Sequence, residues 1–264
     1  MTHLLDIYFT QFLIFVLVLG RIGGLVMTAP IFGSRSVPLQ VRGLIAIGLA
    51  LLITPLHWRE EVTDPGSILG LTLLLVEEIM LGVALGMGVK ILFIGLQVSG
   101  QLVSHMTMLG LAEVADPSNE NTVSVFTQLF DVVAVSVFLI IGGHRLVMAA
   151  LLDTFQWMPP GRIVFSSSVS QALVDVLAHS FVLGVRAAAP TVVAVLMSIL
   201  VMGLISRTLP QLNILAVGTT VNSTVMLGAL VFSLGIMVWI FQENVVPTVD
   251  AMWHALATGR PFEL

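Results

Sequence analysis

Residues Ala187–Ser206, AAAPTVVAVLMSILVMGLIS, form a run of 20 residues without a formal charge between Arg186 and Arg207. The next run, Thr208–Gln242, holds 35 residues without a formal charge. A helix that crosses a bilayer needs about 20 mostly apolar residues. The break between the runs contains Pro210, which lacks a backbone donor and disfavours helix in the residue before it. The two runs therefore predict a helical hairpin that turns near this proline.

The composition of the whole chain excludes an ordinary water-soluble fold. Of its 264 residues, 57% are hydrophobic and 9% are charged, whereas soluble domains average about 45–50% apolar and about 25% charged residues. So few charged side chains leave a surface that lipid or partner proteins must cover. The absence of cysteine excludes a disulfide scaffold, and a net charge of −5 gives no support for nucleic-acid binding.

The hydrophobic pattern predicts an all-α, membrane-associated chain. We expect the N-terminal apolar stretch to be retained, because it lacks the basic region and the cleavage site of a secretory signal. The segment at 66–104 is too long for one straight perpendicular span. The predicted helices lie near residues 8–28, 38–56, 66–104, 117–150, 169–206 and 214–257.

Several charged residues interrupt these apolar stretches. A charge at the centre of a bilayer costs about 2.5–3.5 kcal/mol on insertion scales, so such residues normally face protein or water. We expect Glu77 or Glu78 to meet a partner's basic side chain or water; a proton relay through the carboxylates is the alternative. The residues that we expect as buried charges at subunit contacts are Arg21, Glu77, Glu78, Lys90, Asp131, Asp175 and Arg186.

The loop arginines do not indicate which way the predicted spans cross the membrane. If the segments alternate across a membrane, three loop arginines fall on one side and four on the other, which decides nothing under the positive-inside rule. The first group is Arg35, Arg42 and Arg207, and the second is Arg59, Arg145, Arg162 and Arg260. Either the number of spans differs, or the chain does not sit in a bilayer as an ordinary polytopic protein.

Small residues recur at helical spacing and predict close helix packing. The pairs are Gly20 with Gly24, Ala46 with Ala50, Gly66 with Gly70, and Gly82 with Gly86. Together with the interrupting charges, they favour a tightly packed assembly of several subunits.

Catalytic and cofactor motifs do not occur in the sequence. Its six histidines lie far apart without an HExxH pair, and neither a GxGxxG nor a GxxxxGK[ST] loop is present. These patterns would supply zinc ligands or a phosphate-binding loop. We therefore expect no metal, no cofactor and no enzymatic activity.

The segment from Met106 to Thr122 breaks the apolar pattern most clearly. Methionine side chains fill irregular gaps, and Gly110 offers a pivot. Asp116 and Pro117 read as an N-cap and a first helical residue, so the next helix should begin there. The segment is either an ordinary connection or a compliant apolar seal that closes a pore by excluding water.

Three ordered motifs resemble those of the FliR family of flagellar biosynthetic proteins, the R/T subunit family of type III secretion export gates. The first motif joins Arg21, Gly23 and Gly24 to Ala29-Pro30 and Phe32-Gly33, and ends at Arg35 and Val37-Pro38. The second joins Gly100-Gln101 to Ala112 and Asp116-Pro117. The third runs from Ala189-Pro190 and Ala194 through Gly203-Leu204 to Arg207, Pro210-Gln211 and Asn213.

This resemblance implies a non-enzymatic, pore-forming export-gate subunit at the bacterial inner membrane and flagellar basal body. One such subunit would assemble with P and Q subunits, adjoin the B switch subunit, contact lipid and pass unfolded flagellar proteins. Residues 1–168 would be a P-like helical portion, and residues 169–264 a Q-like hairpin in the same integrated domain. Other subunits would cover most of the hairpins, with much of the chain above the membrane plane on the periplasmic side.

The resemblance also implies roles for two segments. The central plug loop of the family falls on residues 106–122, and its candidate residues are Met106, Met108, Leu109, Gly110, Leu111, Val114, Asp116 and Pro117. The hairpin tip, formed by Arg207, Pro210, Gln211 and Asn213, would lie near the cytoplasmic entrance, unless it is a plain helical turn. The alternatives are the T subunit of a virulence secretion system and, less favoured, a secondary transporter, whose two similar halves are not seen here.

Overall fold

The computed structural model describes residues 2–30, 37–58, 66–106, 124–163, 167–209 and 214–258. All regular secondary structure in these ranges is helical, as the sequence predicted. The helices are α1 (Thr2–Thr28), α2 (Leu39–Ile53), α3 (Ile68–His105), α4 (Val125–Ile140), α5 (Gly143–Trp157), α6 (Ser167–Thr208) and α7 (Ile214–Thr258). A 3-10 turn at Thr54–His57 continues α2.

One predicted helix, at 117–150, is wrong, because the chain forms two helices there. The first of them, α4, begins at Val125, where the Ser124 hydroxyl accepts a hydrogen bond from the Phe126 backbone N–H at 3.3 Å. It is separated from α5 by Gly142, whose φ of 74° is a left-handed conformation that glycine adopts without strain. Asp116 and Pro117, which the sequence named as the start of this helix, lie outside the described residues.

The chain divides into two compact units, each built from separated stretches of sequence. The first unit comprises Met1–Ile91, Gly142–Val176 and Val245–Leu264, and the second comprises Leu92–Ile141 and Leu177–Asn244. Helices α3, α6 and α7 contribute residues to both. The expected P-like and Q-like portions, 1–168 and 169–264, stay a prediction.

An apolar stripe on α1 forms much of the core of the first unit. Ile14, Leu17, Ile22 and Leu25 are fully buried, and their spacing of three to five residues places them on one side of the helix. Burying a side chain of this size contributes about 1.5–3 kcal/mol. The same stripe carries Arg21, which is also fully buried. The core therefore contains a charge that needs a partner.

Three phenylalanines join helices within the second unit. The Phe93 ring on α3 meets Phe138 on α4 and Phe241 on α7 edge to face, with ring centroids 5.5 and 5.3 Å apart. Such edge-to-face pairs contribute about 0.5–1.5 kcal/mol beyond their buried area. They hold α3, α4 and α7 together at one level of the unit.

Polar contacts fix the register of α6 against α7 in the second unit. The hydroxyl groups of Thr191 and Ser233 lie 2.8 Å apart, and His179 Nε2 lies 2.8 Å from Asn244 Oδ1. As the residue number rises along α6, it falls along the facing helix. The predicted hairpin is therefore an antiparallel helix pair.

Five described helical segments are long and apolar enough to cross a membrane, and the bent pair α4–α5 would make a sixth. They are Tyr8–Thr28, Leu39–His57, Ile68–His105, Ser168–Thr208 and Val217–Leu256. In the most apolar window of Ser168–Thr208 only 17% of the residues are buried, against 67% for Ile68–His105. The apolar surface of the hairpin thus needs a cover that the described part of the chain does not supply.

Candidate functional site

A buried ion pair between α1 and α3 is the strongest polar contact in the first unit. Arg21 Nε donates to Glu78 Oε2 at 2.6 Å, and both side chains are fully buried. Arg21 also donates to Thr154 Oγ1 at 3.2 Å and to the Met158 carbonyl at 3.0 Å. Because a buried charge is costly unless it is paired and hydrogen-bonded, the carboxylate and the two oxygen acceptors are what permit the arginine to be buried.

The second oxygen of Glu78 and the face of the guanidinium are also occupied. Glu78 Oε1 accepts from the Gly161 backbone N–H at 2.8 Å, and the Arg21 guanidinium carbon lies 4.2 Å from the centre of the Phe155 ring. A cation over an aromatic ring gains electrostatic energy when water is excluded. The site therefore binds α1, α3, α5 and the turn after α5 together, and it has no open face for a substrate.

Three glycines of the predicted pairs allow α1 and α3 to approach closely beside this ion pair. A Cβ added to Gly82 would overlap the Arg21 carbonyl oxygen, and one added to Gly24 would lie 3.0 Å from the Val83 backbone nitrogen. A Cβ on Gly86 would overlap the Thr28 hydroxyl. The predicted packing role of these pairs is confirmed within the chain. The prediction of close helix packing at Gly66 and Gly70 was wrong, because Gly66 precedes α3 with a φ of 57° and faces open space.

The other charged residues that the sequence singled out have different surroundings. Asp131 accepts from Gln97 Nε2 at 2.9 Å in the second unit, and Asp175 accepts from Gln171 Nε2 at 3.1 Å. Both carboxylates and that of Glu77 are half-buried, whereas Lys90 and Arg186 are exposed. Only Arg21 and Glu78 of this set are thus buried by the chain itself. Contacts of any of these charges with other subunits stay a prediction.

The structure describes one residue of the expected plug segment. Met106, the residue after α3, is half-buried and donates its backbone N–H to the Leu102 carbonyl at 3.3 Å. The remaining candidates, Met108, Leu109, Gly110, Leu111, Val114, Asp116 and Pro117, lie outside the described residues.

The helices on both sides of this segment are in close contact within the second unit. A Cβ added to Gly100 of α3 would lie 2.5 Å from the Thr127 Cα of α4, so the two backbones meet where glycine alone fits. The bond between Gln97 and Asp131 supports the same contact. The chain therefore leaves and re-enters the helical core at neighbouring points, and we call the contact between Gly100 and Thr127 the loop base.

The hairpin tip is described only on its α6 side. This helix ends at Thr208, the Leu209 N–H donates to the Ile205 carbonyl at 2.9 Å, and Arg207 is exposed. The turn position predicted from the sequence agrees with the end of α6 and the start of α7 at Ile214. Pro210, Gln211 and Asn213 lie outside the described residues.

A cavity of about 410 Å³ opens in the first unit between α5 and α7. Asp153, Asp250 and His254 line it together with Trp253 and apolar side chains. Its lining includes no serine, threonine or lysine that could act as a nucleophile beside the imidazole. The cavity thus places two carboxylates and one imidazole beside apolar side chains.

Sequence reasoning missed the partners that hold the ion pair, namely Thr154, Phe155, Met158 and Gly161. They follow Arg21 by more than 130 residues, and no local pattern connects residues so far apart. The turn dipeptide Pro160-Gly161 is a signal that could have indicated a bend there. It gives no indication that the Gly161 N–H meets a carboxylate.

Known protein families give an independent comparison. The family model described as "Bacterial export proteins, family 1" matches residues 12–246. This range includes both members of the ion pair, the loop base and the hairpin turn.

Individual relatives share one name. The flagellar biosynthetic protein FliR of Caulobacter vibrioides is 29% identical over 239 residues, which cover 89% of this chain and 95% of the relative. FliR of Escherichia coli K12 is 30% identical over 205 residues, covering 78% of each chain. FliR of Bacillus subtilis 168 is 24% identical over 249 residues, covering 92% of this chain and 94% of the relative.

Proposed function

The chain belongs to the bacterial export proteins, family 1, together with flagellar FliR proteins, and on this basis we propose that it is a structural component of the flagellar protein export apparatus in the inner membrane. The observation that carries the proposal is the length of the match, because it includes nearly the whole helical core. The flagellar system is favoured over a virulence system, since the relatives described above are flagellar proteins.

Its finer role is that of a pore-forming export-gate subunit. One copy joins P and Q subunits, with residues 1–168 as the P-like portion and 169–264 as the Q-like portion, beside the B switch subunit. The exposed apolar surface of α2 and of the hairpin supports association, because isolated chains rarely leave so many large apolar side chains uncovered. Much of the chain lies on the periplasmic side of the membrane plane.

The segment from Met106 to Thr122 acts as the plug of this pore. Its apolar residues close the channel by excluding water, and an unfolded flagellar protein displaces them as it passes. The loop base supports this role, because close contact between α3 and α4 holds both ends of the segment in place. An ordinary connection of the same length would share the anchoring but would not affect conductance.

The hairpin tip, with Arg207, Pro210, Gln211 and Asn213, contacts partners near the cytoplasmic entrance. The exposed Arg207 supports this role, since its charge is available to an acidic group. No catalysis is assigned to the chain; the energy for export comes from the proton motive force and from an ATPase elsewhere in the apparatus. Glu78 is a poor member of a proton relay, because both its oxygens already accept hydrogen bonds.

Co-expression with the P and Q subunits tests the assembly. We expect extraction in mild detergent, followed by mass measurement, to recover a complex that contains one copy of this chain. Loss of the gene should abolish secretion of flagellar filament protein, and a plasmid copy should restore it. Recovery of this chain only as a free monomer would contradict the proposal.

A control distinguishes failed folding from failed association. The first control is the chain expressed alone, which should migrate at the mass of the single chain. The second is the chain expressed with an unrelated polytopic protein, and the two should migrate separately. If the unrelated protein co-purifies as efficiently as the proposed partners, the association is non-specific and the proposal fails.

A further inference from the structure

The cavity between α5 and α7 in the first unit has a polar end beside two tryptophans. The rings of Trp157 and Trp253 meet edge to face, with their centroids 6.4 Å apart. Asp153 lies four residues before Trp157 on α5. Asp250 lies three residues before Trp253 on α7, so both carboxylates are within about one helical turn of the ring pair. The apolar lining residues precede these carboxylates on both helices, and they are Leu146, Ala149, Ala150, Val246 and Val249.

Neither carboxylate has a counter-charge in the described part of the chain. Asp250 lies in the apolar segment Val217–Leu256, and Asp153 lies in the bent pair α4–α5; both are candidate membrane spans. An ionisable side chain in such a segment is costly unless it pairs with another group or meets water. Among the described residues, neither Asp153 nor Asp250 has a hydrogen bond or an ion pair. The cavity therefore presents two negative charges that a cation from elsewhere would neutralise.

Trp253 adds a second requirement. Its indole nitrogen is buried and has no acceptor among the described residues. An indole N–H only donates, and a buried donor without an acceptor destabilises the structure. A guanidinium or an ammonium group cannot accept this bond, because both groups only donate as well. An occupant that satisfies the whole cavity therefore carries a cation and, close to it, an oxygen acceptor.

A polypeptide segment with an arginine or lysine side chain meets both requirements. The cation pairs with the carboxylates and attracts the electron-rich face of an indole ring, while a backbone carbonyl of the same segment accepts from Trp253. The aliphatic stem of the side chain covers the apolar lining. The cavity volume of about 410 Å³ lies within the range of about 300–1,000 Å³ that is typical of ligand sites. A bare metal ion would leave the apolar lining and the indole N–H without contacts.

We propose that this cavity binds an arginine or lysine side chain from a neighbouring protein of the export apparatus, with Asp153 and Asp250 as its counter-charges. The Trp253 N–H donates to the backbone of the same segment. The nature of the partner rests on the proposed function, since a chain inside an assembled apparatus is surrounded by other proteins. The chemistry of the bound group rests on the cavity alone.

Neutralising the two carboxylates tests the site. The double substitution Asp153→Asn with Asp250→Asn keeps the size of both side chains and removes both charges. The thermal unfolding midpoint of the chain expressed alone should not fall, because neither carboxylate is bonded within the described chain. When the P, Q and B subunits are co-expressed, recovery of at least one of them with the chain should fall about tenfold.

Glu243→Gln is the matched control for the double variant. Glu243 is an exposed carboxylate on the same helix as Asp250 and does not line the cavity. Its substitution should change neither the midpoint nor the recovery of any subunit. Normal recovery of every subunit with the double variant would overturn the proposal. A lower midpoint of the double variant expressed alone would show a structural role inside the chain and would overturn it as well.

Photo-cross-linking in the assembled complex identifies the occupant. The substitution Ala149→p-benzoylphenylalanine places a photoreactive group at an exposed lining position. It should cross-link to a subunit segment that has an arginine or lysine within a few residues of the attachment point. The cross-link should disappear in the double variant. Replacing that basic residue with aspartate should reduce recovery of the partner, and Asp250→Lys in the same complex should restore it.

Other occupants would give different products, and each of them would overturn the proposal. A cross-link to residues 259–264, together with an equal loss of recovery in Arg260→Gln, would mean that the chain fills its own cavity. A cross-link to a phospholipid would mean that a headgroup supplies the ammonium and the oxygen acceptor. No cross-link in an intact complex would mean that nothing occupies the cavity. Failure of the unsubstituted chain to assemble would instead contradict the proposed function, and the partner class with it.

Discussion

Arg21 and Glu78 stand 57 residues apart in the sequence and form a fully buried ion pair with Nε and Oε2 separated by 2.6 Å. The pair sits where α1, α3 and α5 meet, and both side chains are shielded from solvent and hydrogen-bonded within the chain. It is therefore a structural junction inside a chain whose apolar composition offers few other charges.

Removing one member of this junction should strongly destabilise the chain. Glu78→Gln leaves the buried Arg21 without a counter-charge, and breaking such a pair typically costs about 3–5 kcal/mol. We expect the thermal unfolding midpoint of the detergent-extracted chain to fall sharply, together with its yield. Glu77→Gln is the matched control, because the adjacent carboxylate is half-buried and should change the midpoint little. Equal effects of both substitutions would contradict the structural role of the pair.

The contact of Gly82 with Arg21 should tolerate no side chain. Gly82→Ala places a Cβ against the Arg21 carbonyl oxygen and forces α1 away from α3, at a cost of about 1–3 kcal/mol for overpacking. Gly23→Ala provides the control, since a Cβ there meets nothing within 4 Å and alanine favours helix by up to about 1 kcal/mol. The thermal unfolding midpoint of Gly82→Ala should be lower than that of the native chain. The midpoint of Gly23→Ala should equal or exceed it. The reverse order would refute the close packing.

The hydroxyl pair of the hairpin should show strong coupling between its members. Ser233→Ala leaves the buried Thr191 hydroxyl without its partner, which costs about 1–3 kcal/mol. Replacing both, as Thr191→Val with Ser233→Ala, removes the unsatisfied group, so the double variant should recover much of this loss. A double-mutant cycle on the unfolding free energy measures the coupling. Additive effects would show that the two hydroxyls act independently.

The plug role predicts a change in conductance at constant loop length. Replacing Met108, Leu109, Leu111 and Val114 together with serine should make the assembled pore leak small ions, because a polar constriction stays wet. Measurements of membrane conductance and growth rate check this. Replacing Ser118, Asn119 and Asn121 with alanine alters the same segment without removing its apolar residues and should leave the pore sealed. Unchanged conductance in the serine variant would reject the plug and favour an ordinary connection.

Local sequence patterns predicted the helices and the hairpin well, because apolar runs of this length have few other structures available. They failed at Gly142, although the pair Gly142-Gly143 before His144 and Arg145 is a turn signal, and the left-handed φ of Gly142 breaks the helix there. The pattern did mark Arg21 and Glu78 as unusual. It could not pair them, since the contact depends on how three helices assemble. The surroundings of Lys90 and Arg186 were equally hidden, because a helical pattern does not say which face meets the core.

The loop base has a consequence for how freely the segment from Met106 to Thr122 can vary in length. Once Gly100 and Thr127 hold the two ends together, each doubling of the length of the connection adds only about 0.6 kcal/mol to the entropic cost of closing it. Insertions of a few residues between these anchors therefore cost the fold almost nothing. The distance that the segment must reach, and not the stability of the chain, then sets its length. Segments of different length from relatives should be interchangeable as cassettes between the same two helices.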